Sequence, residues 1–209
     1  MKTRHKAVRP STAGSSGRTM NSPVQEISVT CSDRFDWRLR WAATSDLDGL
    51  HAVACQPAVY RFLFDGEPPA RELILGRIEQ GIVDADRVGV GLWVLEAPAV
   101  QHAGCVQIDP GQLSRSAELL YFVDCAYWGQ GLATRMAWTA ITQAFRTQHI
   151  DCVFAGADGP NQASIAVMRR LGMTFRCDVQ YPLGPGVEYA IHRDDPRPSH
   201  APALLSIGR

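Results

Sequence analysis

Two glycines that follow a hydrophobic run have the spacing that most directly indicates chemistry in this sequence. The run 118–124 (Glu-Leu-Leu-Tyr-Phe-Val-Asp) is typical of a central strand, and Gly129 and Gly131 precede an amphipathic helix that starts near Leu132. Glycine lets backbone amides approach a ligand closely, and a helix N-terminus attracts anions through its free N–H groups. A phosphate-bearing ligand is therefore expected here, although a strand-to-helix turn that only needs flexible residues has the same pattern.

Two common phosphate motifs do not fit this turn. A Walker loop requires Gly-Lys-Ser/Thr, which the sequence lacks. A dinucleotide fingerprint requires Gly or Ala where Thr134 stands and an acid at the far end of the next strand, whereas Asp151 lies at the near end of that strand. These two departures disfavour a nucleotide-dependent oxidoreductase.

The elements that must position this turn follow from hydrophobic periodicity and from cap residues. Strands are predicted at 37–41, 89–96, 102–108, 117–124, 151–155, 173–181 and 187–192. Helices are predicted from about 44 to 54, at 69–80, at 132–144, and after Pro160-Asn161, where Gly172 ends the last of them. The order predicts an α/β fold of mixed α+β type, with helices on both faces of one mixed sheet.

The ends of the chain differ from this central region in composition. Residues 1–30 are rich in Ser, Pro and Arg, which predicts a disordered tail, and Met20 is a second candidate start. Residues 194–209 contain three prolines and are expected to form a flexible tail. One domain, 31–193, is expected between them.

Charge and composition exclude several classes of protein. The 21 basic and 21 acidic residues cancel, but five of the basic residues lie in the first twenty positions, which leaves 16 basic against 21 acidic residues in 21–209. That balance argues against a nucleic-acid binder. With no long apolar segment and no secretory signal, we expect a cytoplasmic protein without membrane association, either a monomer or a homodimer. The six dispersed cysteines, most of which stand in apolar runs, are expected to be buried free thiols rather than metal ligands.

Two segments in a fixed order carry a resemblance to a known family. The turn stands as Trp128-Gly-Gln-Gly-Leu-Ala133, and downstream Asn161-Gln-Ala-Ser164 precedes Leu171-Gly-Met-Thr-Phe175. Together they resemble the GNAT superfamily of acyl-CoA-dependent N-acetyltransferases, and within it the branch that acts on ribosomal-protein N-termini. Trp128 replaces the usual Gln or Arg of the superfamily, and Met173 replaces an aromatic residue of the branch. The resemblance covers about 35–193.

This resemblance implies a fold and a ligand. The fold would be a GNAT-like, mostly antiparallel sheet of six to seven strands, with about four helices and a central splayed strand pair. The ligand would be acetyl-CoA as cosubstrate, without a metal. The residues that the resemblance assigns to CoA are Phe122, Val123, Asp124, Trp128, Gly129, Gln130, Gly131, Leu132, Ala133, Thr134, Asn161 and Ser164.

Acyl transfer to an amine needs two proton transfers. An α-amine with a pKa of about 8 is largely protonated near neutral pH and must lose a proton, while the departing thiolate benefits from gaining one. Glu118 is the candidate base, with a solvated carboxylate beside Arg115 as the alternative. Ser164 is the candidate proton donor, with a helix-end serine as the alternative. Asn161 is an N-cap candidate and, by resemblance, also lies near pantetheine.

The acceptor is less clear from the sequence. Many relatives carry a tyrosine seven residues after the asparagine, where Met168 stands here, and a tyrosine placed at 168 is expected to substitute in part for Ser164. Tyr60, Phe62 and Phe64 are candidates for acceptor contact. The resemblance favours a protein N-terminal α-amine over an antibiotic, a polyamine or an amino-acid analogue. A non-catalytic acyl-CoA-binding GNAT module is a further alternative.

Overall fold

Eight strands form one sheet in the computed structural model, which describes residues 36–111 and 115–208. In chain order they are β1 (Arg38–Trp41), β2 (Leu92–Ala97), β3 (Val100–Asp109), β4 (Ser116–Val123), β5 (Cys152–Asp158), β6 (Thr174–Tyr181), β7 (Gly184–His192) and β8 (Ser206–Gly208). The spatial order is β6-β7-β5-β4-β3-β2-β1-β8. Only β4–β5 and β1–β8 are parallel among these pairs. A mixed, mostly antiparallel sheet is therefore confirmed, with more strands than expected.

Helices cover both faces of this sheet. They are α1 (Leu47–Ala54), α2 (Pro57–Tyr60), α3 (Arg71–Val88), α4 (Leu132–Arg146) and α5 (Gln162–Arg170). On one side, the larger hydrophobic cluster contains Met136 and Ile141 of α4 with Met168 of α5. On the other side, a second cluster contains Leu50 of α1 and Ile78 of α3. We refer to these two sides as the α4–α5 face and the α1–α3 face.

The two strands next to the glycine turn separate along their length. The parallel pair β4–β5 is in register at Ser116–Cys152, Ala117–Val153 and Glu118–Phe154. Within these two fully described strands the pairing goes no further, although β4 continues to Val123 and β5 to Asp158. The splayed pair that the resemblance implies is therefore present, and it opens just after Glu118.

Two elements differ from the sequence-based expectation. Helix α3 continues to Val88 instead of ending near residue 80, because Gly81 packs on Leu92 of β2 and the buried Asp84 accepts hydrogen bonds from Gln80 and Arg87 of the same helix. Residues 206–208 form β8 instead of belonging to a flexible tail, because Leu205 is buried and its N–H donates to Thr139 Oγ1 at 3.0 Å. The predicted tail 1–30, including Met20, lies outside the described residues.

Other features of the described chain bear on its class. In 36–111 and 115–208, no helix is long and apolar enough to cross a membrane. The same ranges contain no group of three or more His, Cys, Asp or Glu side chains that could hold a metal ion. The five described cysteines are free thiols, as predicted, but the expected burial holds only for Cys105, since Cys55 and Cys152 are half-buried and Cys125 and Cys177 are exposed.

Candidate active site

The candidate site lies where β4 and β5 part. Because these strands are parallel, their C-terminal ends lie at the same edge of the opening, and each strand leads directly to a helix. Helix α4 begins at Leu132 after β4, and α5 begins at Gln162 after β5. Both helix N-termini therefore lie at the end of the sheet where the strands separate.

The glycine turn has the conformation that an anion site needs. Gly129 and Gly131 have φ angles of +79° and +72°, and an added Cβ at either position would meet nothing within 4 Å. Glycine is thus required for the left-handed backbone rather than by crowding, and the space before the turn is open. Gly131 is the N-cap of α4 and supplies no side-chain cap, so the first N–H groups of the helix are available to a ligand.

The residues that follow the turn would contribute backbone rather than side chains. Leu132 and Thr134 are buried in the protein, while Ala133 is half-buried. Gln130 is exposed at the tip of the turn. The predicted CoA contacts from 129–134 are thus brought together as a row of amides at one helix start.

Trp128 fixes this turn to the end of β4. Its ring is 53% exposed, but its Nε1–H donates to the Val123 carbonyl at 2.7 Å. The indole therefore anchors the loop through a backbone contact. This hydrogen bond gives a physical role to the aromatic residue that replaces Gln or Arg in the motif.

The end of β4 offers one amide to the opening. The N–H of Asp124 donates to the Ala103 carbonyl of β3 at 2.8 Å, and the Asp124 carboxylate accepts from the Ala126 N–H. Hydrogen-bonding direction alternates along an antiparallel strand, so the N–H of Phe122 also faces β3, while that of Val123 faces away from it. Of the three strand residues that the resemblance assigns to CoA (Phe122, Val123 and Asp124), Val123 is therefore the one whose N–H is a candidate donor to a ligand in the opening.

Ser164 lies at the start of α5 and contacts β4. The Asn161 side-chain oxygen accepts from the Ser164 N–H at 3.2 Å, which confirms Asn161 as the N-cap of α5. The Ser164 hydroxyl lies 2.8 Å from the Tyr121 hydroxyl. Burial raises the pKa of Tyr121 to about 12, against the lowering effect of the Ser164 hydrogen bond. Tyr121 is the residue that the sequence analysis missed, since nothing in its spacing signals a contact with position 164.

Met168 is not available to this site. Its side chain is fully buried in the large hydrophobic cluster of the α4–α5 face. A tyrosine at this position would overpack the core, so the expected substitution for Ser164 is not supported by the structure. The second hydroxyl near Ser164 comes from the strand instead.

Glu118 lies on the opposite face of the sheet from Tyr121. Residues three apart in a strand point to opposite faces, and Glu118 shares the α1–α3 face with Phe122. Burial raises the pKa of Glu118 despite the opposing charge of Arg77, and Asp109 and Glu188 raise it further. The side chain still has a substantial exposed surface, so the carboxyl is enclosed by protein yet open to a ligand.

The alternative interpretation of Glu118 is a solvated carboxylate beside Arg115, and Glu118 is indeed exposed, but Arg115 has a different partner. Arg115 pairs with Asp151 through two hydrogen bonds. The cation that acts on Glu118 is Arg77 of α3, which also donates to Gln107 at 3.2 Å.

Residues from separate elements gather around Glu118. Phe64 packs edge-on against Phe122 with 6.4 Å between ring centroids. Burial raises the pKa of Tyr181 to about 12, and the negative charges of Glu188, Glu118 and Asp158 add to this effect. We refer to Phe64, Glu118, Asp158, Tyr181 and Glu188 as the Glu118 cluster.

The other two predicted acceptor residues are placed differently. Phe62 lies beneath the Arg61 guanidinium, 5.0 Å from ring centroid to Cζ, and Tyr60 is half-buried at the end of α2. Of the three aromatic candidates, Phe64 is the one whose contacts connect it to β4.

Comparison with known proteins identifies the family. The Acetyltransferase (GNAT) domain family matches residues 37–174, which is more than half of the chain. The chain therefore belongs to the GNAT acetyltransferases and is an acyltransferase that uses acetyl-CoA. The family, fold and enzyme class inferred from the motifs are confirmed.

Solved structures with a similar fold act on different acceptors. One is the ribosomal L7/L12 alpha-N-protein acetyltransferase RimL in complex with coenzyme A, with 21% identity, a TM-score of 0.63, and coverage of 75% of this chain and 94% of that one. Another is the aminoglycoside acetyltransferase AAC(6')-Ib with coenzyme A, at 16% identity, TM-score 0.61, and coverage of 75% and 95%. A third is yncA, a putative acetyltransferase from Salmonella typhimurium with acetyl-CoA, at 18% identity, TM-score 0.62, and coverage of 80% and 98%.

Proposed function

We propose that this enzyme transfers the acetyl group of acetyl-CoA to a primary amine, and first of all to a protein or peptide N-terminal α-amine. The observation that carries the proposal is the opening between β4 and β5, which has hydroxyl groups on one face of the sheet and a carboxylate on the other. Thioester and amine would thus meet in the opening from opposite faces.

The α4–α5 face would hold the donor. The CoA pyrophosphate would bind at the Gly129–Gly131 turn and the first N–H groups of α4, where the helix dipole favours negative charge. The pantetheine arm would run along the edge of β4 beyond Glu118, beside Asn161. The Val123 N–H would then donate to the oxyanion of the tetrahedral intermediate.

Glu118 would receive the proton of the attacking amine, directly or through a water. An ordinary glutamate is a weak base toward an ammonium group, and a raised pKa brings it closer to the pH at which the enzyme works. Burial supplies that shift here. The carboxylate therefore has a location and an acidity suited to general-base catalysis.

Ser164 would donate a proton to the departing thiolate. Its N–H, rather than its hydroxyl, interacts with the Asn161 cap, so the hydroxyl is not used to cap its own helix. Met168, the position where many relatives carry a tyrosine, is buried in the core. Ser164 is therefore the residue of α5 that we assign as proton donor.

The class of acceptor has support from two directions. The motifs resemble the branch that acts on ribosomal-protein N-termini, which favours an α-amine. Asp109 and Glu188 add negative charge around Glu118, which favours a small cationic amine such as a polyamine or an aminoglycoside as the second candidate.

A panel of amines tests the proposal by release of free CoA thiol. The panel contains a peptide with a free N-terminus, the same peptide with a blocked N-terminus, spermidine and an aminoglycoside. We expect the highest kcat/KM with the free peptide and no reaction with its blocked form. A preference for spermidine or the aminoglycoside would make a small cationic amine the proposed acceptor in place of the α-amine. CoA binding without turnover of any amine would indicate a non-catalytic module.

A further inference from the structure

The hydroxyl groups of Tyr121 and Ser164 lie side by side, but the proposed mechanism gives a role only to that of Ser164. Their oxygen atoms are 2.8 Å apart, and the Tyr121 oxygen also lies 3.5 Å from the Ser164 carbonyl oxygen. Tyr121 reaches α5 from β4, and its ring packs against the large hydrophobic cluster of that face. The phenol is therefore held beside Ser164 by the strand and the core.

We propose that Tyr121 is a positioning residue for the departure of the CoA thiolate, and that its hydroxyl donates a hydrogen bond to Ser164 Oγ. The inference rests on the proposed function, because Tyr121 acts through Ser164. A serine hydroxyl carries one hydrogen and two acceptor lone pairs. When the phenol donates to the serine oxygen, the serine hydrogen is left for another partner, which would be the sulfur.

The direction of this hydrogen bond follows from acidity and burial. A phenol is a stronger acid than an alcohol and is the better donor of the two. The raised pKa of Tyr121 keeps its proton in place throughout the neutral range. Both hydroxyl groups are therefore uncharged when they donate their hydrogen bonds.

The proton balance of the step is complete. The C–S bond breaks and its electron pair goes to sulfur, which takes the hydrogen of Ser164. Ser164 regains a hydrogen from solvent water, while Tyr121 keeps its own hydrogen and remains a hydrogen-bond donor to Ser164 Oγ. The proton that Glu118 removes from the amine is released to solvent and balances the one supplied, so neither hydroxyl stays ionised.

A double-mutant cycle tests the pair. Tyr121→Phe removes the hydroxyl and keeps the ring. We expect it to lower kcat about tenfold, the typical effect of losing one hydrogen bond, with the Kd for acetyl-CoA unchanged and the Tm lowered by only about 2–4 °C. Because the two residues act in series, Tyr121→Phe combined with Ser164→Ala should have the kcat of Ser164→Ala alone. Rates are measured in single turnover so that chemistry is observed.

A matched control is Tyr189→Phe. The Tyr189 hydroxyl accepts from Arg169 of α5 at 3.2 Å, so its loss disturbs the same helix without touching Ser164. We expect wild-type kcat from this variant. An equal loss in Tyr189→Phe would attribute the effect to α5 packing and overturn the inference.

The outcomes separate this inference from the proposed function. Wild-type kcat in Tyr121→Phe beside an impaired Ser164→Ala would overturn the inference alone. Losses that multiply in the double variant would also overturn it, because Tyr121 would then act without Ser164. Full single-turnover activity in Ser164→Ala would refute both the serine's role and the pair, while a wild-type enzyme inert to every amine would refute the proposed function.

Discussion

The two faces of the sheet build their parts of the site by different means. On the α4–α5 face the proposed donor site consists of two short segments, 128–134 and 161–164, and largely of backbone groups at helix starts. The α1–α3 face takes the side chains of the Glu118 cluster from five separate elements of the chain. A backbone site imposes a local sequence pattern, whereas a side-chain cluster does not. For this reason the residues of the proposed donor site are easier to predict from the sequence than those of the Glu118 cluster.

The faces also differ in what holds their helices. Helix α4 packs through Met136, Ala140 and Ile141, all fully buried apolar residues. The entry to α1 is held by charge instead: the buried Asp46 carboxylate accepts from Arg40 at 2.6 and 2.7 Å, from the Ala43 N–H at 2.8 Å, and from His102 at 2.9 Å. Substitutions on the two faces should therefore respond differently to pH.

Gly131→Asp should have the largest effect and should act on the donor alone. A carboxylate beside the pyrophosphate, at about 4 Å and an effective dielectric constant of about 20, costs about 4 kcal/mol. We expect the Kd for CoA, measured by calorimetry, to rise about 10³-fold while the protein stays folded. Unchanged CoA binding in a folded Gly131→Asp protein would refute the assignment of the turn.

The matched control for this charge is Gly131→Asn. Asparagine has the same shape as aspartate and tolerates the left-handed backbone that Gly131 adopts at φ +72°. Any strain or crowding is shared by both variants. The difference between their Kd values therefore reports the charge, and we expect most of the loss to be absent in Gly131→Asn.

Asp46→Asn should have the largest effect on stability. Burial by itself would raise the pKa of Asp46, but the hydrogen bonds from Arg40, Ala43 and His102 lower it from 3.8 to about 2. The carboxylate thus stabilises the fold above pH 3.8, and this contribution is lost as the pH falls toward 2. Removing one partner of a buried ionic network typically costs about 3 kcal/mol, which we expect at pH 7.

Denaturant unfolding as a function of pH checks this prediction. The difference between wild type and Asp46→Asn should narrow between about pH 4 and pH 2. Asp48→Asn is the control, because Asp48 is exposed and pairs with Arg71 at the surface. A pH-independent difference for Asp46→Asn would show that packing rather than charge holds this helix.

Ser164→Ala should lower kcat about 10²-fold, within the usual range for one acid–base group, with little change in acetyl-CoA binding. Because the leaving thiolate needs its proton at any working pH, the loss should be similar at pH 7 and pH 9. Ser164→Thr keeps the hydroxyl and should retain much of the rate. If Ser164→Ala keeps the full kcat under conditions where the chemical step limits turnover, Ser164 is only a helix-end residue and does not donate the proton.

The effect of Glu118→Gln on kcat/KM should depend on pH. At pH 7 an α-amine with a pKa of about 8 is mostly protonated, and loss of the base should lower kcat/KM about 10²-fold. At pH 9 the amine is already neutral, so the loss should become small.

The pH profile of the wild-type enzyme provides a second test of Glu118. A base acts when deprotonated, so activity should rise with pH through a pKa above the ordinary 4.5 of glutamate, since burial raises the pKa of Glu118. Glu118→Gln should lack this acidic limb. If the activity of Glu118→Gln rises with pH as that of the wild-type enzyme does, a group other than Glu118 is responsible for the rise.

Sequence patterns were sufficient where a local backbone requirement exists. The strand before the turn, the glycines at 129 and 131, the Asn161 cap and Gly172 after α5 all stand where they were predicted, because each reflects hydrophobic period or a left-handed residue at a helix end. The pairing of β8 with β1 could not be predicted, since three residues carry no usable period.

Sequence alone determined the class of this protein through the resemblance of two segments, because a glycine turn and a capped helix in a fixed order are encoded in contiguous residues. Tertiary structure decided which groups face each other. The separation of β4 from β5 after Glu118 places Glu118 on one face and Tyr121 with Ser164 on the other. The fold also buries Met168 and turns the Phe122 and Asp124 amides toward β3. These outcomes depend on strand register and on packing between residues far apart in the sequence, such as Tyr121 and Ser164, which are 43 positions apart. No local pattern specifies such contacts.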